Sequence, residues 1–124
     1  MPFFASASGR ILLSFMSPEE QDKILNKMSF EQLTPYTTTD PKKFCQELEL
    51  TKKRGYAISQ GERVEGVSCV AAPIFDAAEK IIGAITISGP STRFSKQKIQ
   101  EYAELLTQTT ERISQVMGKL SEKV

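Results

Sequence analysis

The sequence contains no histidine and no tryptophan. Without histidine it lacks the usual general base of hydrolases and the commonest zinc ligand. No histidine is present to pair with either cysteine, so a cysteine nucleophile activated in that way is excluded. Only two cysteines occur, Cys45 and Cys69, and their spacing matches no metal or redox motif. Long apolar runs are also missing. The stretch 81–87 is interrupted by Gly83 and Thr86, far short of the ~20 residues that cross a bilayer. Residues 1–8 have no basic region before a long apolar stretch, as a secretory signal would require. Charge of one sign is not in excess. Sixteen Lys and Arg against fifteen Asp and Glu leave +1, so bulk electrostatics gives no reason to expect nucleic-acid binding. A non-enzymatic, cytoplasmic protein with no metal, no cofactor and no membrane contact is the expectation.

What is present fits one domain of 124 residues. Ile11, Leu12 and Phe15 have helical spacing over residues 8–16. Ser17-Pro18-Glu19-Glu20 is a helix start, with Ser17 as cap, Pro18 in the first turn and Glu20 placed for a capping box. That helix should end near Met28, and residues 29–39 read as a loop. Asp40-Pro41 opens a third helix with Phe44, Leu48 and Leu50 available for the core. Lys52, Lys53 and Arg54 fill its last turn before Gly55, where they complement the helix dipole without needing a DNA partner.

Beyond Gly55 the pattern changes. Residues 56–59, 67–75 and 80–88 read as strands, the last two joined by the turn 76–79 into an antiparallel hairpin. Ser95 caps a final helix carrying Ile99, Tyr102, Leu106, Ile113, Met117 and Leu120 every three or four residues. Three helices, three strands and a helix define an α+β fold. Three strands make a small sheet for four helices, so completion by another chain or by strands ahead of Met1 is expected.

Four stretches occur in an order that resembles the effector-binding domain of the IclR family of bacterial transcription regulators. They are Pro2-Phe3-Phe4-Ala5-Ser6-Ala7-Ser8-Gly9-Arg10, Arg54-Gly55-Tyr56-Ala57, the block from Gly66 to Asp76, and Gly83-Ala84-Ile85-Thr86-Ile87-Ser88-Gly89-Pro90. The resemblance implies a GAF-like antiparallel sheet flanked by helices, incomplete at its N-terminal side. Residues 1–124 would be the C-terminal two-thirds of that domain, with no DNA-binding domain. DNA would be reached only through a helix-turn-helix absent from this chain, and a homo-oligomer is expected. The ligand would be a small-molecule effector, either an organic acid or an aromatic carboxylate.

The resemblance places the ligand at the first helix start, where Ala7, Ser8 and Gly9 offer free amides. Ser6 or Ser8 adds a hydroxyl, or simply caps the helix. Cys69 falls where the family presents a cysteine to the pocket, although a strand cysteine is equally a small core residue. Thr86 and Ser88 share one sheet face, which is either the pocket or a solvated surface. Ser59 and Gln60 stand where the family often has an acid, and Phe4 replaces a histidine, so no known effector is carried over. Glu62 and Arg63 in the loop 60–66 act as a lid or are solvated. The rival reading is an assembly module without a working pocket.

Overall fold

In the computed structural model residues 6–122 are described, with side chains for residues 6–117. Phe4 and the rest of the first motif up to Ala5 therefore lie outside the described residues, as does the side chain of Leu120. The elements run α1 (Ala7–Ser14), α2 (Pro18–Lys27), α3 (Pro41–Arg54), β1 (Ala57–Gln60), β2 (Val67–Phe75), β3 (Ile81–Pro90) and α4 (Lys96–Glu122). A single turn of 3-10 helix, Ser91–Arg93, joins β3 to α4.

The helix boundaries follow local chemistry. The Ser17 hydroxyl accepts from the Glu20 amide at 3.3 Å, and the Asp40 carboxylate from the Lys42 amide at 3.0 Å. Gly55 closes α3 in the left-handed conformation at φ 85°, where a side chain would be strained. Arg54 adds a second stop. Its Nε donates to the Tyr56 carbonyl at 2.8 Å, so β1 starts at Ala57 rather than at Tyr56 as the sequence pattern predicts.

The strands form one antiparallel sheet in the order β1-β2-β3. Strand β3 runs two residues further than expected, because Ser68 pairs with Gly89 and Val67 with Pro90. Proline has no amide to donate, and β3 has no further strand beside it among the described residues, so the edge tolerates Pro90. Asp76 organises the hairpin turn by accepting from the Ala78 and Lys80 amides, both at 2.9 Å.

The sheet is covered on both faces. On one face Val70 and Ala72 pack with Ile99, Ala103 and Leu106 of α4, and Ile85 and Ile87 join from β3. On the other, Ala57 and Ala71 meet Ala7 and Ile11 of α1. Four small or slim residues at that contact let the helix axis approach the sheet closely. Beyond α1 lies a further layer, where Leu13 packs against Phe44 and Leu48 of α3, flanked by Ile24 and Leu25 of α2. The central strand, buried on both sides, accounts for the unbroken apolar run in β2.

One core expectation is overturned. Leu50 is 48% exposed, while Phe44, Leu48 and Thr51 are buried. Those three repeat at helical spacing along one face of α3, and Leu50 lies round the helix from Leu48.

Candidate functional site

Three side chains line up across the sheet. Ser59 is paired with Cys69, and Cys69 with Ser88, so all three point toward the α1 face in one cross-strand row. The Cys69 sulfur and the Ser88 hydroxyl are 3.0 Å apart. In the next row Ala57, Ala71 and Thr86 follow, and there the small side chains accept the helix. Where the row turns polar, the N-terminus of α1 leaves a cavity of about 260 Å³.

Ser6, Ala7 and Ser8 bound this cavity from the helix side, and Ser59, Cys69, Thr86 and Ser88 from the sheet. Val67 and the loop residues Arg63 and Val64 complete it. Among the described residues, Arg63 is the sole charged one in this lining. Larger clefts, of about 530 Å³ between Phe15, the end of α3 and α4, about 520 Å³ beside Phe75 and Glu79, and about 500 Å³ beside Tyr36 and Phe94, are more open to solvent.

Of the residues singled out from the sequence, Ala7, Ser8, Ser59, Cys69, Thr86 and Ser88 are thus brought together around one space. Gly9 is not. Its amide donates to the Ser6 hydroxyl at 3.0 Å, and it is absent from the cavity wall. Ser6 is therefore the cap of α1, and Ser8 is left free to face the cavity. The Arg10 amide goes to the Ser6 carbonyl, which leaves those of Ala7 and Ser8 without an acceptor inside the helix.

The loop carrying Arg63 is fixed at its base. The Thr34 hydroxyl donates to the Gly61 carbonyl at 2.5 Å, and the Thr37 hydroxyl to the Glu62 carbonyl. The Glu62 side chain pairs with Arg10, whose guanidinium also donates to the Ile58 carbonyl at 2.8 Å. The side chain of Arg10 is 1% exposed. The sequence pattern shows none of these anchors, because their partners lie 25 to 52 residues away. Val64 and Val67 were also missed, since their exposed positions carry no periodic signal.

Burial pushes the Glu62 carboxyl above its ordinary value of 4.5, the Arg10 guanidinium pulls it back, nearby Glu47 adds repulsion, and the Ser59 hydroxyl stabilises the charge. Arg54 lines one cleft together with Arg10, Glu47 and Glu62. With its folded value raised, Glu62 binds more protons folded than unfolded across the window above 4.5. Its contribution to stability therefore falls as pH rises through that window. Urea unfolding at steps between about pH 4 and 7 should show this falling component in the parent chain and not in Glu62→Gln. Identical pH slopes for the two proteins would contradict it.

The description "Bacterial transcriptional regulator IclR C-terminal" matches residues 1–115. The chain belongs to the IclR family. The HTH-type transcriptional repressor AllR of Escherichia coli K12 is 33% identical over 118 residues, covering 95% of this chain and 44% of that protein. The regulator KdgR of the same organism is 32% identical over 94% of this chain and 44% of its own length. The chain thus spans less than half of these curated relatives. Among solved IclR-family structures, the Thermotoga maritima IclR superimposes with a TM-score of 0.89 at 35% identity, covering 94% of this chain and 47% of that one. The inducer-binding domain of PobR from Acinetobacter, a double mutant in complex with 3-hydroxybenzoic acid, gives 0.84 at 30% identity, over 92% of this chain and 66% of that one. These IclR relatives are named as transcription regulators, so the chain is a regulatory domain of that family. Among the described residues no helix is long and apolar enough to cross a membrane.

Proposed function

We propose that the cavity between the start of α1 and the row Ser59–Cys69–Ser88 is an effector site for a small carboxylate. The supporting observation is its polarity. Among the described residues, hydroxyls and two helix-start amides border a space whose wall carries one cation, Arg63, and no carboxylate. Helix-start amides and arginine both favour anions. A volume of about 260 Å³ lies below the ~300–1,000 Å³ typical of drug-sized ligands, which suits an acid of a few carbons or a single ring. The 3-hydroxybenzoic acid bound by the PobR inducer domain is a ligand of that size and charge.

In the intact regulator the ligand would act by population shift, binding one arrangement of a homo-oligomer better than another. DNA affinity would then change through the helix-turn-helix of the intact regulator. Titration calorimetry against a panel of small aliphatic and aromatic carboxylates is the test. At least one member should bind with a micromolar to millimolar Kd, and folded protein that binds none would contradict the reading.

A second reading, an assembly module with an empty pocket, draws on apolar side chains left outside. Ile82 on the edge strand β3, and Leu105 and Val116 on α4, are 48%, 58% and 56% exposed. Light scattering that gives a clean monomer would remove that alternative.

A further inference from the structure

The span that carries Arg63 is held by its backbone, and two buried threonines supply much of the hold. Thr34 and Thr37 are each 8% exposed. The Thr34 hydroxyl accepts from the Tyr36 amide at 3.0 Å and donates to the Gly61 carbonyl. The Thr37 hydroxyl accepts from the Thr34 amide at 2.9 Å and donates to the Glu62 carbonyl. An amide only donates and a carbonyl only accepts, so each hydroxyl commits its one proton to this span. The two hydroxyl oxygens are 3.4 Å apart, farther than either is from its carbonyl.

A carbonyl oxygen held in place holds its whole peptide plane, because the peptide bond resists twisting. The Glu62 carbonyl belongs to the peptide that ends at the Arg63 α-carbon, so Thr37 sets where the Arg63 side chain begins. Thr34 does the same for the peptide before it. On the far side the Gly66 carbonyl accepts from the Ser91 amide at 2.8 Å, and the Val67 amide donates to the Val64 carbonyl at 3.1 Å. Residues 63–65 form the exposed span between these anchors. Arg63 and Val64 line the cavity, whereas Glu65 lines the separate cleft beside Tyr36 and Phe94. The fixed backbone thus sorts the two charges of the span, cation toward the cavity and anion away from it.

We infer that Thr34 and Thr37 are positioning residues of the effector site, holding Arg63 at the cavity so that a carboxylate meets a cation already in place. Neither threonine lines the cavity, so both act through the backbone of Arg63. The inference rests on the effector-site reading above and adds the residues that set its preference for anions. Without the clamp the ligand must itself order the span and a long side chain, and that cost is subtracted from affinity. A merely structural pair would change stability and leave the contribution of Arg63 to binding untouched.

The test is a double-mutant cycle in titration calorimetry, with benzoate, 3-hydroxybenzoate, propionate and lactate as probes beside the wider carboxylate panel. With the acid that binds the parent tightest, Thr37→Val should weaken binding roughly tenfold, about the cost of immobilising one flexible side chain. In the Arg63→Gln background the same change should cost less than about twofold. Thr37→Ser keeps the hydroxyl and should bind like the parent. Circular dichroism checks that each variant is folded; if Thr37→Val is not, Thr34→Val takes its place with Thr34→Ser as its control. A readout that needs no ligand is hydrogen exchange at the Val67 amide, which should quicken in the valine variant and not in the serine one. Equal losses in the two backgrounds, an Arg63→Gln protein that binds like the parent, or unchanged exchange in the valine variant overturns this inference alone. If no probe and no panel member binds the folded parent, the inference falls together with the effector-site reading.

Discussion

Replacing Arg10 with methionine is expected to destabilise the protein by about 3 kcal/mol, the lower end of the cost of removing one partner from a buried ion pair. Arg10 enters the interior between α1 and α3, its guanidinium 5.9 Å from the centre of the Phe44 ring. It ties the Glu62 carboxylate and the Ile58 carbonyl to the helix. Methionine fills much of the same space but leaves the partly buried Glu62 beside Glu47 without its guanidinium partner. The midpoint of thermal unfolding should fall by roughly 10 °C for a domain of this size. Adding Glu62→Gln to Arg10→Met should restore part of the loss, because a neutral amide tolerates the site better than an orphaned charge. A loss below about 1 kcal/mol would mean that the pair behaves as a solvated surface bridge.

The other large effect is expected at Phe44. Its side chain is fully buried, packs with Leu13 and Leu48, and meets the Phe30 ring edge-on at a centroid distance of 5.4 Å. Phe44→Ala should cost about 3–5 kcal/mol, the range for truncating a buried phenylalanine. The damage would not be local to α3. Phe44 packs against Leu13 and lies beneath the Arg10 guanidinium, and both of those residues belong to α1, the helix that borders the cavity. Denaturant unfolding measures the loss, and a cost under about 1.5 kcal/mol would show that the α1–α3 layer closes over the gap.

Much of this architecture is legible in the sequence, for reasons that differ by element. Ser17-Pro18, Asp40-Pro41 and Gly55 speak through local chemistry, and the structure places helix ends at each. The strand row was readable because period two puts Thr86 and Ser88 on one face, and β2 carries Cys69 into register with Ser88. The site's supports were not readable. An arginine in the first helix reads as a surface charge until the fold brings Glu62 under it, and Thr34 and Thr37 sit in a stretch that looks like plain loop. The Gly9 amide, expected from the sequence at the ligand, is engaged elsewhere for a related reason. Which serine caps a helix decides which amides remain, and Ser6 takes the one from Gly9.

The missing acid beside β1 gains a different meaning once Glu62 is located. The Glu62 carboxyl, whose charge the Ser59 hydroxyl helps to stabilise, is itself absent from the cavity lining. Negative charge is withdrawn from the cavity wall but kept within one hydrogen bond of it.

Filling the cavity from an exposed position tests the central claim most directly. Ser88 lies on the edge strand, exposed, with its side chain toward the cavity, so Ser88→Phe adds bulk there without touching the buried core. Calorimetry with the tightest-binding carboxylate should show affinity reduced by more than about tenfold in Ser88→Phe, while the unfolding midpoint stays within about 3 °C of the parent. Unchanged affinity in the folded variant would place the ligand elsewhere and contradict the account.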